Sequence, residues 1–138
     1  MLKLQILTIE KRVFDGEVQS VVVPTQAGMI EVLERHEPLV SAIKEGELKI
    51  KKKTGEEYLA VAGGFIKVTA EKAVILADVA LRPEEIDEKE VEEARRRAKA
   101  DMRRKDIPKT DFSLAAREFR RAMVNLKVAR KKRSKRKY

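Results

Sequence analysis

The chain has 138 residues and no cysteine, and 40% of its residues are charged, with a formal net charge of +9. This length fits one typical domain or a small core with an appendage. Without cysteine the chain has no disulfides or thiolate metal sites, and no apolar run approaches the roughly 18 residues of a membrane span. The N-terminus has no charged segment leading into a long apolar run, so we expect no secretion signal and a cytosol-facing protein.

The excess of positive over negative charge is confined to the second part of the chain. Residues 1–82 carry 12 Lys and Arg against 12 Asp and Glu, whereas residues 83–138 carry 20 against 11. The hydrophobic pattern changes at the same place, so we predict two domains with these bounds. The high charge and the small number of side-chain amides are typical of heat-adapted proteins, and we expect a thermophilic source.

Residues 1–82 show short apolar runs separated by turn signals about every eight to twelve residues, which is typical of a β-sandwich or barrel. LKLQILTI begins with alternating apolar and polar residues, and EVQSVVVP ends at a proline. ELKIKKK and EEYLAVA flank Thr54 and Gly55, a candidate two-residue hairpin turn in which glycine supplies a positive φ. GGFIKVTA and KAVILAD are expected to pair. The doubled Gly63-Gly64 indicates a bulge or a close approach of two backbones.

From Pro83 onward the apolar spacing changes from two to about 3.6, the period of an α-helix. Pro83 suits the first turn of a helix, acids follow it, and arginines crowd the other end, an order that complements the helix dipole. Pro108 interrupts the pattern, and Asp111 is expected to cap a second helix. The predicted apolar stripes are Ile86, Val91, Ala94, Ala98 and Met102 in the first helix, and Phe112, Ala115, Phe119, Met123 and Leu126 in the second. We predict an antiparallel hairpin that is weakly held, because burial of alanine side chains stabilises the packing of two helices less than burial of leucine side chains.

The sequence offers few side chains suited to catalysis. His36 is the single histidine, no glycine-rich phosphate loop is present, and the serines have no base close to them in sequence. We interpret His36 as a loop residue bonded to backbone and Asp78 as a strand-end or turn residue. No set of metal ligands is clustered. An enzyme is therefore the least favoured function class.

The chain ends in a strongly basic tail. Residues 127–138 contain eight Lys or Arg and no acid. Such a run is typical of a nucleic-acid arm, a membrane-surface anchor or a dock for an acidic protein, and composition alone does not choose among them. A nucleic-acid-binding β-domain is the alternative function. It is disfavoured because Tyr138 is the only aromatic residue of the tail and the first domain is electrically neutral.

Five segments, in this order, resemble the epsilon subunits of bacterial F-type proton-translocating ATP synthases. They are the opening LKLQILTIEKRVFDGEVQSVVVPTQAG, the loop HEPLVSAIKEGELKI, the pair VAGGFIKVTAEKAVILADVA, the helix start EEIDEKEVEEARRRA and the closing helix RRAMVNLKVARK. Together they cover most of the chain. The resemblance implies a mainly β fold with added α-structure, in which a sandwich of about ten strands precedes a mobile two-helix hairpin.

The resemblance also implies a function, that of a non-catalytic rotor subunit of the central stalk. The sandwich would bind the gamma subunit and stand on the c-subunit ring, coupling proton flow to ATP synthesis. The hairpin would reach the catalytic alpha and beta subunits and inhibit ATP hydrolysis. Membrane association, at the cytoplasmic face, would occur only through the complex, and no nucleic-acid partner is expected.

Specific residues follow from the same resemblance. The gamma or c-ring contacts implied in the sandwich are Phe14, Met29, Glu31, Leu33, His36 and Val40. The cations implied to meet an acidic segment of the beta subunits are Arg121, Lys127, Arg130, Lys131, Lys132 and Arg133.

The sequence departs from the family pattern at two sites. Met29 stands where many members have the acid that faces the c ring. Either Glu31 substitutes from two positions away, or the contact is apolar in this chain. In the ATP-sensing motif of some members, Ile-Asp-x-x-Arg-Ala, the arginine is replaced by Glu90, and Asn125 replaces another arginine. A carboxylate at such a position opposes phosphate binding, so we expect ATP binding to be weak or absent and no other cofactor. The residues to test are Ile86, Asp87, Arg97 and Arg121.

Overall fold

The structure is a computed structural model of the whole chain. Its secondary structure is described for residues 1–136 and its side chains for residues 1–131. The chain divides into two compact units, Met1–Leu81 and Arg82–Tyr138. The first contains strands and the second contains helices.

The first unit has eight strands among its residues. They are β1 (Leu2–Leu7), β2 (Arg12–Val18), β3 (Ser20–Thr25), β4 (Gly28–Leu33), β5 (Leu39–Ala42), β6 (Gly46–Lys52), β7 (Gly55–Val68) and β8 (Lys72–Leu81). Neighbouring strands follow the order β2-β1-β8-β7-β6-β3-β4, and β5 pairs with β7. All pairs are antiparallel except β1 with β8. The predicted mainly β first part is confirmed.

The long strands β7 and β8 take part in two layers. The first half of β7 pairs with β6, and its last four residues pair with β5. Strand β8 pairs along β7, and its first half also pairs with β1. We call the layer containing β5, β1 and β2 the first sheet and the layer containing β6, β3 and β4 the second sheet. Counting β7 and β8 once in each layer gives the ten strands that the resemblance implied.

The two sheets fold over one apolar core. In a flat sheet, β2 and β6 would be about 19 Å apart, at about 4.8 Å per strand spacing. Instead, the Lys52 ammonium group of β6 lies 5.7 Å from the ring centroid of Phe14 in β2. Phe14 is half-buried and packs against the core. The fully buried core side chains include Leu2, Leu4, Ile6, Leu48, Ile50, Leu59, Ile66 and Ile75.

Gly63 and Gly64 bring β7 and β8 close together, as predicted. Both have a positive φ, of 70° and 102°. A side chain at Gly64 would collide with the Leu76 carbonyl, and one at Gly63 would collide with the Asp78 carboxylate. The β7–β8 register continues unchanged across this point, so the alternative of a bulge is wrong. Asp78 lies inside β8, not at a strand end, because β8 continues to Leu81.

Two local predictions need correction. The β6–β7 turn consists of Lys53 and Thr54, one residue earlier than predicted, because Lys52 pairs with Gly55. The segment EVQSVVVP does not form one strand. Strand β2 ends at Val18 in the first sheet, and β3 begins two residues later in the second sheet. The chain therefore changes layer at Gln19, which sequence alternation does not indicate.

The second unit contains a 3-10 turn at Pro83–Glu85 and two helices, α1 (Glu88–Met102) and α2 (Lys109–Arg136). The helix predicted from Pro83 begins at Glu88 instead. The cause is Asp87, whose carboxylate accepts the N–H groups of Lys89 and Glu90 at 3.1 and 3.3 Å and so caps α1. The prediction that Asp111 caps α2 is wrong, because Asp111 lies within the first turn of that helix.

The two helices pack through an alanine seam, as predicted. The buried alanines are Ala98, Ala115, Ala122 and Ala129. Phe112 and Met123, predicted to belong to the stripe, are exposed. Leu126, which belongs to the predicted stripe, is buried with the alanines, and so is Val128, which the predicted stripe did not include. A six-residue connection between α1 and α2 favours the antiparallel arrangement.

Candidate functional site

The outer face of the first sheet carries an exposed apolar surface. Val40, Phe65 and Leu76 are 68%, 59% and 55% exposed. The register places Ala42 opposite Phe65, Phe65 opposite Leu76, and Leu76 beside Leu7, so β5, β7, β8 and β1 contribute to one row. We define the apolar face as Leu7, Val40, Ala42, Phe65, Val74 and Leu76.

Sequence analysis identified only Val40 of this face. Phe65 and Leu76 lie in the runs FI and VIL, where consecutive residues are apolar. A strand with one solvated face normally alternates apolar and polar residues. The interrupted alternation was the signal that could have found both residues.

The outer face of the second sheet is different, because its polar side chains pair with one another. The Glu31 carboxylate lies 2.8 Å from the Lys51 ammonium group and accepts a hydrogen bond of 3.2 Å from Ser20. The hydrogen bond from Lys51 holds the pKa of Glu31 below its usual value. The negative charge of Glu31 is therefore already compensated by Lys51 within the sheet.

The same face contains a second polar cluster on β6 and β7. The Tyr58 hydroxyl donates to the Glu56 carboxylate at 2.5 Å, and the Lys49 ammonium group lies 3.7 Å from the same carboxylate. The hydrogen bond to Glu56, helped by partial burial, raises the pKa of Tyr58 to about 12.

The contact residues implied by the resemblance fall on separate parts of the sandwich. Met29, Glu31 and Leu33 alternate along β4 and share the outer face of the second sheet, whereas Val40 belongs to the apolar face. His36 lies in the β4–β5 loop, where its Nδ1 is 2.7 Å from the Glu37 carbonyl oxygen. The interpretation of His36 as a loop residue bonded to backbone is confirmed.

The residues to test for nucleotide binding differ in whether their side chains are buried, hydrogen-bonded or exposed. Ile86 is buried, and the Asp87 carboxylate is occupied in capping α1. Arg97 and Arg121 are exposed, on α1 and α2 respectively. Glu90 is exposed in the first turn of α1.

The cations implied to meet the beta subunits lie between the middle of α2 and its C-terminal end. Arg121, Lys127 and Arg130 are exposed, and Lys131 is half-buried. Lys132 and Arg133 lie outside the residues whose side chains are described. On α1, Arg95 donates to the Glu92 carboxylate, with its Nε at 2.8 Å. This hydrogen bond and the charges of Arg95, Arg96 and Arg130 hold the pKa of Glu92 below its usual value.

Among the residues whose side chains are described, no three His, Asp or Glu come together in a way that could hold a metal ion. Neither helix, as far as it is described, is long and apolar enough to cross a membrane.

Comparison with known protein families covers both units. The model for the β-sandwich domain of the ATP synthase delta/epsilon chain matches residues 1–83, and the model for its long α-helix domain matches residues 84–130. The chain belongs to the ATP synthase delta/epsilon chain family. The resemblance predicted from the sequence is thereby confirmed.

Individual members of the delta/epsilon family are similar along nearly their whole length. The chain is 46% identical to the ATP synthase epsilon chain of Dehalococcoides mccartyi over 132 residues, covering 96% of this chain and 94% of that one. It is 38% identical to the ATP synthase epsilon chain of Herpetosiphon aurantiacus over 133 residues, covering 96% and 97%.

Solved structures share the fold of this delta/epsilon chain at lower identity. A chain of the Euglena gracilis mitochondrial ATP synthase (OSCP/F1/c-ring) matches with a TM-score of 0.69 and 21% identity, over 93% of this chain and 76% of that one. A chain from the central stalk/c-ring structure of the Tetrahymena thermophila mitochondrial ATP synthase matches with a TM-score of 0.58 and 18% identity, over 93% and 96%.

Proposed function

We propose that this chain is a non-catalytic rotor subunit of an F-type ATP synthase, located in the central stalk between the gamma subunit and the c ring. The observation that carries the proposal is the match of both units, in order, to the two domains of the delta/epsilon chain. The subunit couples proton flow to ATP synthesis in the catalytic head. It is held at the cytoplasmic face of the membrane through the complex.

Copurification tests this function against the alternative. The full chain, mixed with the gamma subunit of the same organism, should elute with it as one complex. Salt-sensitive binding to bare nucleic acid without affinity for gamma would instead favour a nucleic-acid-binding β-domain.

We assign the gamma contact to the apolar face. Exposed apolar side chains that form a contiguous patch mark interaction surfaces, since water favours their burial against a partner. Here four adjacent strands contribute to the patch. The outer face of the second sheet is less suited, because its carboxylates and lysines are already paired.

We assign the c-ring contact to β4. Glu31 is a poor substitute for a ring-facing acid, because docking would have to break its pairing with Lys51 and Ser20. Met29 is 60% exposed and makes an apolar contact with the c ring in its place.

Two substitutions that introduce a charge separate these contacts. Leu76→Asp places a charge in the apolar face and should weaken gamma binding by about tenfold or more. Met29→Lys, whose charge is opposite to that of the acid many family members have at this position, should leave gamma binding unchanged and lower proton-coupled ATP synthesis by the assembled complex. Circular dichroism should show that both variants remain folded. A folded Leu76→Asp variant that binds gamma like the unmodified chain would refute this assignment.

The hairpin acts as the inhibitory element of the subunit. Its exposed cations Arg121, Lys127 and Arg130 favour contact with carboxylates, and several exposed pairs of about 0.2–1 kcal/mol each are enough to bias a two-state element. The basic tail, residues 127–138, adds further positive charge to the second unit.

Removal of residues 127–138 tests the inhibitory role. The shortened subunit should raise ATP hydrolysis by the assembled complex while ATP synthesis changes much less, because the rotor contacts lie in the sandwich. Raising the salt concentration should reproduce part of the effect. Replacing Arg130 and Lys131 by Glu should act in the same direction, and Lys53→Glu, in the β6–β7 turn, serves as the matched charge control. Identical hydrolysis by intact and shortened complexes would show that the tail does not inhibit.

A further inference from the structure

One cation, Lys67, lies next to residues of the apolar face. Lys67 lies on β7, two residues after Phe65 and therefore on the same side of the strand. The register places Lys67 directly opposite Val40 of β5 and directly opposite Val74 of β8. Lys67 is exposed and has apolar neighbours on three sides.

Within the described residues, no carboxylate lies within ion-pairing distance of the Lys67 ammonium group. The acids of this outer face are Asp78, two residues beyond Leu76 on β8, and Asp15 and Glu17 on β2, which lie opposite Gln5 and Lys3 of β1. Asp15 is paired with Arg12 at 3.1 Å. On the second sheet, in contrast, Lys51 and Lys49 lie 2.8 and 3.7 Å from carboxylates.

Docking on this face removes water from the cation as well as from the apolar side chains. A buried charge without a partner costs far more than an exposed one, and a carboxylate placed opposite it offsets that cost. A partner without the carboxylate is rejected, so a single cation in an apolar patch provides specificity. A second copy of this chain is a poor occupant, because a symmetric contact through the same face would bring two such lysines into one interface.

We propose that Lys67 selects the gamma subunit by pairing with a carboxylate of gamma at the border of the apolar face. This inference rests on the proposed function and adds its electrostatic determinant. The apolar face supplies area and Lys67 supplies orientation.

The test compares three substitutions of Lys67 in the full chain, with the purified gamma subunit of the same organism as the probe. Lys67→Met keeps the length of the side chain but removes the charge, Lys67→Glu reverses it, and Lys67→Arg keeps it. Lys53→Glu, in the β6–β7 turn, is the control for charge reversal outside the face. Affinities are measured calorimetrically at about 0.05 M and 0.5 M salt, where screening differs strongly.

The expected result is a loss of affinity of about tenfold or more for Lys67→Met, a larger loss for Lys67→Glu, and affinity near that of the unmodified chain for Lys67→Arg and Lys53→Glu. The difference between the unmodified chain and Lys67→Met should shrink at the higher salt concentration. Thermal melts should be the same for all variants, because Lys67 is exposed.

Two results would overturn the inference. Binding of Lys67→Met as tight as that of the unmodified chain, or tighter, would show that gamma presents an apolar group at this point. Self-association of the unmodified chain that Leu76→Asp abolishes would assign the face to a second copy. Failure of the unmodified chain to bind gamma at all would refute the proposed function itself, and the role of Lys67 with it.

Discussion

The sandwich and the helical hairpin bury apolar side chains of different size. The sandwich core is built from fully buried leucine, isoleucine and valine, whereas the hairpin seam is built mainly from alanine. Burial contributes roughly 0.8 kcal/mol per CH₂ group, so each core position of the sandwich stabilises its unit more than a seam position stabilises the hairpin. The sandwich is therefore held together more strongly than the hairpin.

The two regions also differ in charge. The sandwich is neutral, and many of its lysines and glutamates pair within the second sheet. The second unit carries the excess of positive charge, with exposed cations along α2. Electrostatic interactions with acidic partners are therefore expected mainly at the second unit.

The largest expected effect concerns the two units expressed separately. Residues 1–82 contain the whole large-residue core, so this fragment should unfold cooperatively in urea and still bind gamma. Residues 83–138, with an alanine seam, should melt broadly and without a sharp midpoint. Both curves are measured by circular dichroism. A non-cooperative transition of the first fragment, or its failure to bind gamma, would break the comparison.

Single substitutions sharpen the comparison within the full chain. Ile75→Ala leaves a cavity among fully buried side chains and should lower the free energy of unfolding of the sandwich by about 2–5 kcal/mol. Ala98→Gly in the seam should lower that of the hairpin by about 1 kcal/mol, through helix propensity. Amide hydrogen exchange, resolved by unit, measures both. Equal losses would show that the two regions are held with similar strength.

Nucleotide binding tests the effect of the acidic residues of the hairpin. Isothermal titration of the unmodified chain should show no tight ATP site, because Glu90 repels phosphate and Asp87 is occupied in capping α1. Glu90→Arg should strengthen any binding by up to about tenfold, since it replaces a repulsion with an attraction. Glu93→Arg, exposed on the same helix, is the matched control. Micromolar affinity of the unmodified chain would contradict the expectation.

The smallest expected effect is a pH dependence of the sandwich. Tyr58 donates a hydrogen bond to Glu56, which raises the pKa of Tyr58 to about 12, above the value of about 10 for an unfolded tyrosine. The protonated hydroxyl therefore stabilises the folded state fully below pH about 10, and this contribution is lost as the pH rises towards 12. Urea unfolding across this range should show a steeper decline for the unmodified chain than for Tyr58→Phe. Parallel declines would mean that the hydrogen bond contributes nothing.

Much of the fold was predictable from the sequence because it follows from local chemistry. The change of apolar period near Pro83 separates strands from helices, and residues such as Gly63 and Gly64 have few alternatives to a close backbone approach. The helix bounds were less accurate, since Pro83 and Asp87 both suit a helix start and only the hydrogen bonds of the Asp87 carboxylate choose between them.

The candidate sites were predictable only in part. The family follows from five ordered segments, each of which is local in sequence. The contact residues that the resemblance implied include two half-buried residues, Phe14 and His36, and one carboxylate, Glu31, that already has its partners. The pattern of residues along the chain does not indicate that Lys51 of β6 will pair with Glu31 of β4.

The sequence by itself determined the order of strands and helices, the family and the uneven charge, because each depends on residues close together in the chain. Only the tertiary structure decided the apolar face. Val40, Phe65 and Leu76 are brought together by strand register, and a run that is apolar on consecutive residues does not indicate which of them faces the core. The position of Lys67 between Val40 and Val74 has the same origin, since cross-strand neighbours are set by hydrogen bonding between strands that are distant in sequence.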